Sequence, residues 1–216
     1  MTALSAPAPR PTTASSLLAL WRHSLAGLRV ILVLTVLLGL AYPLAMTGVA
    51  QVVFPWKADG SLVTSSGAHT TDRSQAVGSQ LIAQGFEGNQ WFHPRPSVAG
   101  ENGYDTLASG GSNLGPQNAD LAKTVQDRRA QVAAEDGVDP SQVPADAVTA
   151  SFSGLDPQIS PAYAAIQVDR VAKARGLSAA TVEKLVADNT QSRPLGVLGD
   201  PGVNVLALNI ALDQLG

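Results

Sequence analysis

The chain has 216 residues, with 14 Lys and Arg, 17 Asp and Glu, three His and no Cys, for a formal net charge of −3. The missing cysteines exclude disulfides, thiolate metal sites and a cysteine nucleophile, and His23, His69 and His93 are too dispersed to suggest a zinc site. Beyond residue 29, 11 Lys and Arg face all 17 Asp and Glu, so this part carries −6 and lacks the basic face that a nucleic-acid partner requires.

Residues 1–13, with Pro7, Pro9 and Pro11 among small residues, have too little apolar content to fold, and we assign residues 1–24 to a disordered cytoplasmic tail. Residues 30–56 form an apolar run without a charged side chain. A hydrocarbon core of about 30 Å needs roughly 20 helical residues, so this run predicts one transmembrane helix, assigned to residues 25–54. A cleaved signal peptide, suggested by Gly48 and Ala50, would have an apolar core of only about 7 to 15 residues. Arg10, Arg22 and Arg29 precede the run with no acidic residue among them. The positive-inside rule therefore predicts a single-pass protein of the plasma or inner membrane, its N-terminus cytoplasmic and everything after Trp56 outside. No ionisable group lies within the run, so it is no pore by itself. Thr35 with Gly39, and Ala41 with Ala45, have the small-xxx-small spacing that lets another helix approach, although lipid-facing small residues produce the same pattern. Pro43 should bend the helix.

Residues 55–76 are expected to be a connection carrying at most a short strand, and residues 77–216 one soluble extracytoplasmic domain. In that domain GSQLIAQGF (78–86) predicts a strand, and Trp91 and Phe92 follow as core aromatics. Residues 93–117, dense in Gly, Ser, Asn and Pro, predict a long loop. Residues 117–135 predict a helix capped by Asn118 and closed by Gly137. Residues 143–153 alternate enough to predict a strand around Val148. Ser160 and Pro161 open a helix that ends at Gly176, with Ile166 on its apolar face and Arg170 on its charged one. Ser178 opens another, with Val182, Leu185 and Val186 on one side, and Asp200-Pro201 a third, with Val203, Leu206, Ala207 and Ile210 at helical spacing. The fold class is α+β, behind one N-terminal transmembrane helix.

Candidate sites are few. Gly110, Gly111, Ser112 and Asn113 lie in a turn whose N–H groups offer a nest for an anion or phosphate, against the plainer reading of a structural turn. There is no G-x-x-x-x-G-K-[ST] and no G-x-G-x-x-G. Arg95, between Pro94 and Pro96, is placed to clamp a carboxylate or phosphate, and a salt bridge fixing the loop is the reading slightly preferred. Ser151, Ser153 and Asp156 lack a G-x-S-x-G elbow or S-x-x-K, which disfavours a hydrolase. No catalytic or metal-ligating residue is assigned.

The strings SGGSNLGP, VTASFSGLDPQISP, IQVDRVAKARGL and VNVLALNIALD, with YPL and FPW in the apolar run, occur in order and at suitable spacing. Together they resemble the C subunit of the bacterial Kdp-type potassium-transporting P-type ATPase. Phe152 departs from the small residue usual in TASxSGLDP, and His93-Pro94 is one version of a variable pair. The resemblance implies an accessory subunit needed for assembly of a high-affinity pump. Its partners are a pore subunit that selects potassium and a separate subunit that hydrolyses ATP through a D-K-T-G aspartate, besides membrane lipid. This chain has no D-K-T-G, so it cannot form the phosphoenzyme. No covalent cofactor is implied; potassium is the ion of the complex, and ATP is reached only through the complex. The family is described either as a catalytic chaperone raising ATP affinity or as a cover on the potassium entrance. The alternative is a membrane-anchored extracytoplasmic binding module unrelated to transport.

Overall fold

The computed structural model describes residues 13–215, so residues 1–12 of the expected tail lie outside the described residues. The chain divides into a helical unit ending at Ala58 and a folded unit beginning at Asp59.

In the first unit, α1 (Thr13–Val36) passes through a π-turn (Leu37–Ala41) into α2 (Tyr42–Val53), and α3 (Pro55–Ala58) follows. The helix therefore begins well before residue 25, because LLALWRHSLAGL is rich in Leu and Ala, which hold a helix without help from a membrane. Among the described residues one helix, Leu17–Val53, is long and apolar enough to cross a membrane. The bend expected from Pro43 takes the form of the π-turn. Proline has no N–H for the Gly39 carbonyl and its ring collides with that carbonyl; widening the preceding turn relieves both, and Tyr42 N–H now donates to Leu37 O, five residues back.

The second unit carries two small antiparallel sheets. Strand β1 (Leu62–Val63) lies between β2 (His69–Thr70) and β3 (Gly78–Ser79), with Leu62 opposite Thr70 on one side and Ser79 on the other. The expected connection at residues 55–76 thus contributes two strands to the fold, and Val63 and Ser61 are buried. Only the first two residues of 78–86 are a strand; Ile82 N–H bonds to Ser79 O and the chain turns away.

Helix α4 (Ala119–Asp136) starts and stops as read: Asn118 accepts from Asp120 N and Leu121 N, and Gly137 takes the left-handed conformation that ends it. A 3₁₀ turn (Pro140–Gln142) leads into α5 (Ala145–Val148), which overturns the strand expected around Val148. Ala147 and Val148 are consecutive and both buried, which a helical turn permits and strand alternation does not. Asp146 on this turn accepts from Ser160 N and Ser160 Oγ at 2.7 and 2.9 Å. Then come β4 (Gln158–Ile159), α6 (Pro161–Arg175), α7 (Ala179–Asp188), β5 (Thr190–Gln191), β6 (Gly202–Asn204) and α8 (Val205–Asp213). Ser160 and Ser178 cap α6 and α7 through Tyr163 N and Thr181 N. The cap-plus-proline start at Asp200 fails. Asp200 turns outward to pair with Arg193, β6 forms the buried centre of sheet β4-β6-β5, and Asn204 caps α8 by accepting from Ala207 N.

One core joins α4 to α8, with Phe92, Val171, Val182, Val203, Leu208 and Leu212 sealed from solvent. Phe92 is held at both ends: its N–H donates to Asn209 Oδ1 and its carbonyl accepts from Asn209 Nδ2, each at 2.9 Å. Trp91 is half-buried at the edge.

Candidate functional site

Residues 93–117 contain no regular element, so their backbone must find partners one at a time. Ser97 does most of this. Its Oγ donates to Gly154 O at 2.6 Å and accepts from Ala99 N and Tyr104 N. Tyr104 Oη donates to Arg95 O at 2.9 Å, and burial pushes this phenol up to about 12 although Arg128 pulls it down. The second wall is the loop at 149–156. Gly110 N–H donates to Ser153 O at 2.9 Å, Ser109 Oγ donates to the same carbonyl, and Ser151 N–H reaches Pro96 O. At Gly154 a side chain is impossible, because its Cβ would stand 2.7 Å from Ala99 Cβ and 2.9 Å from Gly110 O. Two loops are thereby fused into one rigid platform that holds Phe152 and Leu107 out in solvent, 88% and 95% exposed.

The fused loops decide the fate of the predicted residues. Arg95 Nη1 pairs with Asp156 Oδ2 at 2.9 Å, and its Nη2 approaches Thr149 O, so the guanidinium fixes the loop in the manner preferred from sequence. Gly110 has spent its N–H on Ser153, and Gly111 lies against the Phe152 backbone. Ser112 Oγ accepts from Leu114 N, and Asn113 has a positive φ of 53°. Arg95 and the Gly110 to Asn113 turn are thus joined to the same wall, but each through groups an anion would need. Ser151 Oγ accepts from Asp156 N, and His93 is engaged by Gly88 O at 3.0 Å and Glu135 at 3.3 Å, so no serine–histidine pair forms among these residues.

Thr35, Gly39, Ala41 and Ala45 all lie exposed on the long helix. A Cβ added at Gly39 would meet only Thr35 Cγ2, at 3.9 Å. The π-turn, with its extra residue, rotates α2 relative to α1, so i, i+4 spacing across Leu37–Ala41 does not by itself place the four residues on one stripe. Beside them a shallow apolar groove opens at the turn, lined by Leu32, Val33, Val36, Leu37 and Ala41.

Arg170 is the residue that sequence reasoning misplaced. It is buried rather than on a charged face. Its Nε donates to Asp136 Oδ1, Nη1 to the carbonyls of Asn89 and Trp91, and Nη2 to Gln167 Oε1. Burial pushes the Asp136 carboxyl above its usual range despite the pull of Arg170. Gln167 in turn accepts from His93 N, so the end of α4, the middle of α6 and the chain entering the platform meet at one node.

A profile described as "KdpC: K+-transporting ATPase, c chain" matches residues 24–214. A potassium-transporting ATPase KdpC subunit of Kineococcus radiotolerans is 55% identical over 193 residues, covering 89% of this chain and 94% of the relative. Proteins of the same description from Beijerinckia indica and Nitratidesulfovibrio vulgaris are 53% and 50% identical, over 85% and 92% of this chain and 89% and 96% of their own lengths. The match runs from the apolar helix through α8, and on it the chain belongs to the KdpC family, the c chain of K+-transporting ATPases.

Proposed function

We propose that the chain is an accessory subunit of an ATP-driven potassium uptake pump, anchored by one membrane-spanning helix with its folded unit on the outer side, where it acts at the potassium entrance of the pore subunit. Family membership carries the first part of this reading. The three arginines before residue 30, with no acid among them, support the orientation. The entrance role is supported by the charge of −6 beyond residue 29 and by the rigid platform that presents Phe152 and Leu107 to a partner. The chaperone reading, in which the subunit touches ATP, draws less support: Arg95 and the Gly110 N–H are both committed inside the fold. Potassium and ATP are then handled by the other subunits, and the chain supplies no hydrolytic residue.

The test is to tag this chain, coexpress it with the pore and ATP-hydrolysing subunits, purify, and measure potassium-stimulated ATPase. Copurification and loss of stimulated activity when this chain is omitted are expected; an active complex without it would overturn the role. Protease added outside inner-membrane spheroplasts should digest the chain from Lys57 onward. A protected folded unit would overturn the orientation.

A further inference from the structure

On the folded unit, away from the fused loops, a cleft of about 220 Å³ opens between the chain that follows β3 and the outer face of α8. Its walls are flat and apolar: Phe86 and Trp91, with ring centroids 5.9 Å apart at 46°, and the aliphatic side chains of Val77, Leu206 and Ile210. The polar groups on it are mostly committed. Asn209 gives both its amide groups to Phe92, and Arg175 lies over the Trp91 ring at 4.3 Å while approaching Asp213. One is not. Gln84 donates from Nε2 to Val77 O, which fixes the orientation of its amide, and its Oε1 is buried without a hydrogen-bond partner. A buried acceptor left unmade is costly, and such a group calls for a donor from outside.

These observations define the ligand. The apolar walls ask for a flat hydrophobic body, and the orphaned carbonyl asks for one N–H or O–H. A cation is disfavoured, because the face of Trp91 that it would use is already covered by Arg175. An apolar cavity of about 150 Å³ takes up a benzene ring, so this one has the volume for a ring system half as large again. We infer that the cleft is a docking pocket for an indole or phenol side chain, a tryptophan or tyrosine, projecting from another subunit of the pump. The source is a protein side chain because buried aromatic anchors seated in preformed pockets carry most of the energy of subunit interfaces. This inference rests on the accessory-subunit reading above.

The experiment has two arms. In the first, indole and indene, which share a ring shape but not the N–H, are titrated into the full chain in detergent while the Trp91 and Gln84 side-chain N–H signals are followed by NMR. Indole should bind saturably at about millimolar concentration, as a fragment of nine heavy atoms does, and several-fold more tightly than indene. Gln84→Met should erase the preference. In the second, Val77→Trp, at a mouth residue 44% exposed, fills the cleft from the chain itself and should lower recovery of the partner subunits roughly tenfold or more without lowering the unfolding midpoint. Absence of saturable shifts with indole would overturn the pocket. Binding of indole with normal assembly of Val77→Trp would overturn the docking role and leave a small-molecule site. Failure of the unaltered chain to recover any partner would instead remove the pump reading, and docking with it, while leaving the indole titration to stand alone.

Discussion

Arg170 Nε donates to Asp136 Oδ1 at 2.7 Å, with the two side chains only 5% and 3% exposed. A pair this deep is costly to desolvate and gives little net stability over an apolar substitute for both residues; breaking it from one side is another matter. Arg170 also satisfies the carbonyls of Asn89 and Trp91 and the amide oxygen of Gln167, so it is the fastener between α4, α6 and the chain leading into the fused loops.

Arg170→Met should therefore cost about 3–5 kcal/mol of stability at neutral pH, by leaving a buried carboxylate and three acceptors unpaired. The sign of its pH dependence follows from Asp136. Burial already holds this carboxyl above its unfolded value, and removing Arg170 leaves burial less opposed, so the variant titrates higher still. A carboxyl raised in the folded state binds its proton more tightly there, and stability falls as pH rises from about 3.9 through the folded value. Urea unfolding of the full chain in detergent should show a deficit relative to the unaltered protein that is smaller at pH 5 than at pH 8. An equal deficit at both would show that Asp136 is not what the mutation exposes.

What could be read from the sequence was what neighbours in the chain decide. Asn118, Ser160 and Ser178 cap their helices through N–H groups two or three residues away, and Gly137 and Gly176 end α4 and α6 by a local backbone conformation. Two-residue strands carry no such signal; β1 and β6 exist because of partners far along the chain, which is why 69–70 was folded into a connection and 202–204 into a helix start. Arg170 was placed on a charged face for the same reason. Periodicity sends an arginine to solvent, whereas its partners stand 34, 79 and 81 residues away. The commitment of Gly110 to Ser153 and the cleft beside Gln84 are likewise long-range products.

Tyr104 gives the fused loops an alkaline signature. Its phenol, held up to about 12 by burial, keeps its proton above the unfolded value near 10. The stability this provides is complete below about pH 10 and is lost as pH climbs to about 12. Tyr104→Phe removes the titration along with the bond to Arg95 O, a loss of about 1 kcal/mol. The gap between the two proteins should therefore be open at pH 8 and close between pH 10 and 12. A gap that stays constant across this range would mean that Tyr104 ionises without resistance from the fold. Tyr163, also pushed up by burial, should leave the variant some alkaline sensitivity of its own.

Gly39 tests whether the small residues of the long helix pack against a neighbour. Within the chain a side chain there has room, since only Thr35 Cγ2 comes within 4 Å. Gly39→Leu together with Ala45→Leu should consequently preserve helicity while reducing copurification of the other subunits severalfold, by holding helix backbones apart. Unchanged recovery would assign association to the folded unit alone.

The entrance reading makes an electrostatic prediction of limited size. Glu87, Glu101 and Asp105 are all exposed, and part of the −6 beyond residue 29 comes from them. Exposed charges act on ions only within about 10 Å at 0.1 M salt, so their effect is to enrich cations locally rather than to bind them. Replacing the three by Gln, Gln and Asn should weaken the apparent potassium affinity of the assembled pump at low ionic strength, and the loss should fade as salt rises. The ATP dependence of hydrolysis at saturating potassium should stay as it was. The chaperone reading demands the reverse pattern, an altered ATP dependence with potassium affinity preserved. That result would move the subunit's action from the entrance to the hydrolytic cycle, and would require the orientation inferred from Arg10, Arg22 and Arg29 to be tested again.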